Sequence, residues 1–230
     1  MNTDTSNIKA TRIVSGVSCG KTQELIGRAC SLLSNGEKAE DVLVLCATPQ
    51  ACEAFTLRLN AAAEEAGANA DGVTVTTPRA LALNVLGDAE AVRWSGREPR
   101  LLTAYEELFL LEDMKVSGLR PKRLREMLKF FYRSWTELAD DDPDWLLPGE
   151  ESNVHTLLKD NLAFTRSIAE PEAGNLAVNY LRGHAGARST HSFAHVLVDD
   201  YQRISRASQL LADLVASETR TIAGDRAACV

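Results

Sequence analysis

The segment Ser15-Gly16-Val17-Ser18-Cys19-Gly20-Lys21-Thr22, directly after Arg12-Ile13-Val14, holds the residue types most suited to chemistry. A strand that feeds a turn of small residues and then a helix aims consecutive backbone N–H groups at one point. The positive end of the helix dipole adds to them, and a phosphate can sit there. In such a turn the backbone from Ser15 to Gly20 cradles phosphates, Lys21 reaches their outer oxygens and the Thr22 hydroxyl coordinates Mg²⁺. Ser15 stands where such loops usually begin with glycine, and Ser18 where many carry a further one. Far along the chain, Ala194-His195-Val196-Leu197-Val198-Asp199-Asp200-Tyr201-Gln202 supplies the complement, two acids closing an apolar run. The carboxyl ends of buried parallel strands are where open α/β sheets bind ligands. In phosphoryl-transfer sites the first acid, here Asp199, holds Mg²⁺, and the second, Asp200, orients or deprotonates the attacking water. Taken alone, the two acids read better as a helix cap after a strand. Their order behind an upstream Gly-Lys-Thr favours the chemical reading.

These residues need a sheet to position them. The first ninety residues alternate in the α/β manner: a strand at 12–14, a helix at about 22–34, a strand at 41–46 and a helix from Pro49 to about Glu65. A strand at 72–76 and a short helix at 78–86 follow. Pro49 suits the first turn of its helix, where its missing N–H costs nothing. This rhythm predicts βαβ units in a parallel sheet. From about Glu98 to Arg188 only helical periodicity remains, with helices expected at 101–114, 123–138, 153–168 and 171–181. Gly118, the acidic turn at 140–144, Pro148-Gly149 and 183–186 act as breakers. The sheet pattern returns at Phe193, runs through a helix at 205–216 and ends in a strand at 220–223. The expected fold is therefore α/β, a parallel sheet flanked by helices, with an all-helical subdomain inserted. Residues 1–97 and 190–230 form the first part and 98–189 the second.

Composition narrows the class. With 230 residues, 45% hydrophobic and 25% charged, the chain has the make-up of a soluble globular protein. No apolar run approaches the roughly 18 residues a membrane helix needs, and the polar start shows no hydrophobic signal region. No membrane partner is expected. The five cysteines show no metal-ligand spacing, and Cys46 and Cys52 read as buried reduced thiols, which fits a cytoplasmic location. The net charge of −7 argues against a uniformly basic chain, while a local basic stripe would suffice for nucleic acid. One candidate stripe runs from Arg120 through Lys122, Arg123, Arg125 and Lys129 to Arg133, interleaved with Phe130, Phe131 and Tyr132. It reads equally as an amphipathic helix burying Leu124, Leu128 and Phe131.

Five elements in order resemble the first RecA-like domain, with its helical insertion, of a UvrD/Rep-type superfamily 1 DNA helicase. RecB- and AddA/AddB-like recombination helicases belong to the same group. The elements are the loop 15–22, Val44-Leu45-Cys46-Ala47-Thr48-Pro49-Gln50-Ala51, Val75-Thr76-Thr77-Pro78-Arg79-Ala80-Leu81-Ala82, Leu197-Val198-Asp199-Asp200-Tyr201-Gln202 and Ala223-Gly224-Asp225. The resemblance implies an ATP-binding P-loop domain of a DNA motor in repair or recombination. Lys21 and Thr22 would bind ATP and Mg²⁺, Asp199 would hold Mg²⁺, and Gln202 would sense the γ-phosphate. Thr48, Thr77 and Arg79 would line a single-stranded DNA track. It further implies a longer parent protein with a second RecA-like domain that contributes an arginine, and a partner helicase or nuclease subunit.

The chain departs from that pattern at three places. Asp200 replaces the usual Glu, Ala47 replaces a Phe that stacks on bases, and Ala228 replaces a Gln. These departures motivate a second expectation, a helicase-like scaffold that binds DNA without acting as a motor. A P-loop kinase or unrelated ATPase is a third, which the long helical insertion disfavours.

Overall fold

The computed structural model of the chain describes residues 8–14, 16 and 20–225. Five strands pair in parallel throughout: β1 (Lys9–Val14), β2 (Val42–Leu45), β3 (Thr74–Thr76), β4 (Phe193–Val198) and β5 (Ala216–Gly224), in the order β1-β5-β4-β2-β3. Val42 to Leu45 are fully buried, as a parallel strand covered on both faces requires. Alternation along β2 divides the covering. Val42, Val44 and Cys46 pack with Leu25, Ile26 and Ala29 of α1 (Lys21–Ser34) and with Phe55, Leu59 and Ala63 of α2 (Pro49–Glu65). Against β4 and β5 lies α10 (Arg206–Val215), whose Leu211, Ala212, Leu214 and Val215 are buried. Each buried aliphatic side chain contributes about 1.5–3 kcal/mol, so this layer outweighs any local propensity.

Residues 1–81 and 181–230 form one unit and 82–180 a second, so the helical unit begins earlier and ends earlier than 98–189. The remaining helices are α3 (Pro78–Leu86), α4 (Ala89–Ser95), α5 (Ala104–Asp113), α6 (Pro121–Thr136), α7 (Glu150–Phe164), α8 (Ala173–Gly183) and α9 (Ala185–Thr190). The sequence pattern did not anticipate α4, and α9 forms across a stretch expected to break structure. Its small residues Ala185, Gly186 and Ala187 carry no periodic signal, yet Arg188 N–H reaches the His184 carbonyl at 3.1 Å.

The second unit is built on α5, α6 and α7. Their Leu110, Leu124, Met127, Phe131, Trp135, Val154, Leu158 and Leu162 share one apolar cluster. Leu124, Leu128 and Phe131 are thus inward, while Phe130 is 44% exposed. The helix expected over 101–114 starts only at Ala104, and the one expected over 153–168 stops at Phe164. The cause is a short pairing between the two flanking segments. Leu102 N–H donates to Ile168 O at 2.9 Å and Ile168 N–H to Arg100 O at 2.8 Å, and Arg166 turns left-handed at φ 50°. Beside this pairing Arg97 grips Glu172 with two 2.8 Å hydrogen bonds, both side chains being buried.

Removing one partner of a buried ion pair strands the other charge. Arg97→Ala should therefore cost about 3–5 kcal/mol in urea unfolding, with Arg97→Met/Glu172→Leu closer to the parent chain. Within the apolar cluster, His155 lies 5.0 Å from Phe131 and from Trp145, ring centre to ring centre. Burial, with Lys159 adding, lowers its pKa from 6.5 to about 4. The unfolded chain therefore takes up this proton first as pH falls. The His155 contribution is full above about pH 6.5 and is lost as pH falls towards 4. His155→Phe should flatten the melting temperature against pH across that window.

Candidate functional site

Strand order determines where a site can form. From β1 the chain crosses to β2 on the far side of β4, whereas β4 leads back to β5, which lies between β4 and β1. The crossovers leave in opposite directions, and the carboxyl ends of β1, β5 and β4 border the crevice that such a switch point opens. Gly20 caps α1 in the left-handed region, φ 77°, a conformation that costs a residue with a Cβ and not glycine. Lys21 folds back over the turn, its Nζ donating to Gly16 O at 2.7 Å. Ser15, Val17, Ser18 and Cys19, expected to cradle phosphate, lie outside the described residues.

Across the crevice, Asp199 N–H donates to Leu45 O at 2.9 Å and carries the β4–β2 ladder one residue further. Its carboxylate then meets the start of α1. Thr22 Oγ1 donates to Asp199 Oδ2 at 2.8 Å, although the residues stand 177 positions apart. The Asp199 carboxyl is held above its ordinary range, first by burial. The neighbouring Asp200 charge adds, while the Thr22 hydroxyl, the Asp200 N–H and Lys21 oppose. A site that raises a carboxyl in this way is relieved by a cation.

Asp200 is in the left-handed region, φ 51°. Its carboxylate accepts from Gln202 Nε2 at 3.3 Å and Arg203 at 3.4 Å. Gln202 is a bridge that sequence patterns did not reveal, because its Oε1 also accepts from Asp225 N–H at 3.2 Å. The ends of β4 and β5 are thereby tied. A Cβ on Gly224 would lie 3.0 Å from that same oxygen. Asp225, only 6% exposed, joins the cluster, and the Gly-Asp pair closing a strand was its signal in the sequence.

Lys21, Thr22, Asp199, Asp200 and Gln202 therefore converge. Thr48, Thr77 and Arg79 do not join them, since they follow β2 and β3 on the other side of β4. Thr48 and Thr77 cap helices, each hydroxyl accepting a backbone N–H at 3.2 Å, from Ala51 and Ala80 respectively. Thr77 is buried and Arg79 exposed. Cys46 lies at the end of β2, and its thiol is pushed up by burial first, with Cys52 and Asp199 adding. An open cleft of about 560 Å³ runs beside Lys21 and is lined by Arg12, Ile13, Gly20, Gln23, Glu24 and Arg28, within the size range of small-molecule sites.

No family model matches the chain, and no curated protein sequence matches it significantly. Among the described residues no helix is long and apolar enough to cross a membrane, and no group of three or more His, Cys, Asp or Glu is placed to hold a metal ion.

The Asp199 carboxyl should titrate above 3.8 by carbon-detected NMR, and Thr22→Ala should raise it further, since a donor to the charged form is lost. A raised carboxyl weakens the fold as pH climbs past the unfolded value, so Asp199→Asn should increase the urea midpoint at neutral pH. In Gly224→Ala, Gln202 must give way. The loss of its bond to Asp225 N–H should cost about 1 kcal/mol and shift the Gln202 side-chain amide resonances.

Proposed function

We propose that this chain is the RecA-like, ATP-binding part of an ATP-dependent DNA helicase or translocase acting in repair or recombination. The carrying observation is the Thr22–Asp199 contact of 2.8 Å. Two ligand oxygens at right angles on an octahedral Mg²⁺ with 2.0–2.1 Å bonds lie about 2.9 Å apart, so the pair fits the ion without rearrangement. Thr22 and Asp199 would hold Mg²⁺, which when bound would supply neutralisation of charge that develops during phosphoryl transfer. Lys21 would exchange the Gly16 carbonyl for phosphate oxygens, a stronger, charge-assisted partner. Asp200 and Gln202 flank the place where the terminal phosphate would lie. Through Asp225, Gln202 would transmit occupancy from the end of β4 to the end of β5. The resemblance of five ordered sequence elements to UvrD/Rep-type helicases supplies the substrate class, single-stranded DNA.

A second reading has its own observation. The Asp200 carboxylate is engaged by Gln202 and Arg203 and is one methylene shorter than the expected Glu. A displacement near 1 Å can cost on the order of 10²-fold in rate. On this reading the chain is a DNA-binding scaffold with a site that holds nucleotide and turns it over feebly.

Fluorescent ATP with Mg²⁺ should bind the chain saturably. Lys21→Ala should weaken binding by roughly tenfold or more, the scale of a lost charge-assisted contact. Hydrolysis that rises with single-stranded DNA and disappears in Asp200→Asn, with binding retained, supports the motor. Binding without DNA-stimulated hydrolysis supports the scaffold. Equal nucleotide binding by the parent chain and Lys21→Ala would sink both.

A further inference from the structure

We infer that a second anion site, for a phosphate group, lies between β1, β5 and the last turns of α1. The sheet face beneath α1 changes character along its width. At the β2 side it presents Val42 and Val44, packed against α1 and α2. At the β1 edge the register aligns Lys9 with Thr219 and His195, and Thr11 with Thr221 and Leu197. Polar side chains thus occupy positions where a covering helix ordinarily meets aliphatic ones. They leave a cleft of about 240 Å³, lined also by Arg28 and Asn35 of α1 and its C-cap.

The charge balance of this cleft is opposite to that of the chain. The sequence carries 32 acids against 25 basic residues, yet two cations and no carboxylate line the cleft. Among the described residues Lys9 makes no ion pair or hydrogen bond, and Arg28 commits only Nε, to Glu24 at 3.3 Å. Thr221 is 8% exposed, and its hydroxyl likewise has no partner among the described residues. Its hydroxyl borders the cleft and is open to an acceptor placed there. Thr219 Oγ1 lies 2.8 Å from buried His195 Nδ1. Glu37 Oε2 lies 3.3 Å from the other ring nitrogen, Nε2, which places the proton there, so Nδ1 accepts the Thr219 hydroxyl and that donor is already engaged. Two cations, the Thr221 hydroxyl and the Asn35 amide form a donor set for a tetrahedral oxyanion. The volume admits a phosphate group.

This site is separate from the Lys21 turn, although Arg28 borders both clefts. The experiment therefore uses the chain carrying Lys21→Ala, which makes its result independent of the nucleotide reading. Inorganic phosphate is titrated at constant ionic strength, chloride being replaced, and backbone amides are followed by NMR. Saturable shifts at Thr11, Thr219 and Thr221, with affinity falling about tenfold in Lys9→Ala and in Thr221→Val, support the site. The nearly isosteric Thr221→Val keeps the test valid if loss of Lys9 disturbs the edge strand. A single-stranded oligonucleotide that produces the same shifts and is displaced by phosphate assigns the anion to a polynucleotide backbone. Failure of the oligonucleotide beside success of phosphate assigns it to a free or terminal phosphate. Shifts that are absent, linear in phosphate, or unchanged in both variants overturn the proposal.

Discussion

The pairing of β4 with β2 sets the geometry of everything at the carboxyl edge of the sheet. Val42 to Leu45 align with His195 to Val198, and one further hydrogen bond, from Asp199 N–H to Leu45 O, holds the acid where the strand ends. A slip of one residue would turn Val196 and Val198 to the opposite face and aim Asp199 away from Thr22. Because both faces of this strand pair are buried in aliphatic side chains, such a slip would place wrong volumes in two cores at once. The register is thus enforced by the hydrophobic layers, and the position of the acid is inherited from it.

The candidate site holds its charges in an unrelieved state. Asp199 is half-buried, and among the described residues its carboxylate accepts from the Thr22 hydroxyl and the Asp200 N–H, while the Lys21 ammonium donates to a carbonyl. Asp200 beside it adds repulsion. Such an arrangement costs stability and gains affinity for a cation, the usual trade at sites built to bind rather than to hold the fold together. The cleft by β1 carries the opposite charge, with Lys9, Arg28 and threonine hydroxyls where aliphatic packing would have been more stable.

Much of this was legible from residue types. The apolar runs at 42–45 and 196–198 announced buried parallel strands, and Gly20-Lys21-Thr22 with Asp199 announced the crevice. Thr-Pro at 48–49 announced a helix start that the structure places at Pro49. Other parts escaped because their cause is pairing rather than side-chain pattern. Thr219 is polar, yet it pairs with Lys9 on one side and His195 on the other, where backbone hydrogen bonds outweigh polarity. Leu101 and Ile168 read as helical because they are aliphatic. The contact between them is a two-segment backbone pairing, which no local window contains. Gln202 joined to Asp225 is likewise a side chain meeting a backbone group from another strand end.

The clamp that joins Arg97 to Glu172 within the helical unit has a consequence for how the segment between them travels through evolution. Arg97 and Glu172 stand 75 positions apart yet touch, and Ile168 bonds to the backbones of Arg100 and Leu102 just inside them. A segment whose entry and exit meet behaves as a cassette. It closes its own apolar cluster and asks of a host loop only that its two ends lie side by side. Such a segment can lengthen, shorten or be exchanged between hosts while the clamp survives. Divergence in this unit is therefore expected to concentrate among the helices, and to spare the arginine and glutamate that close it.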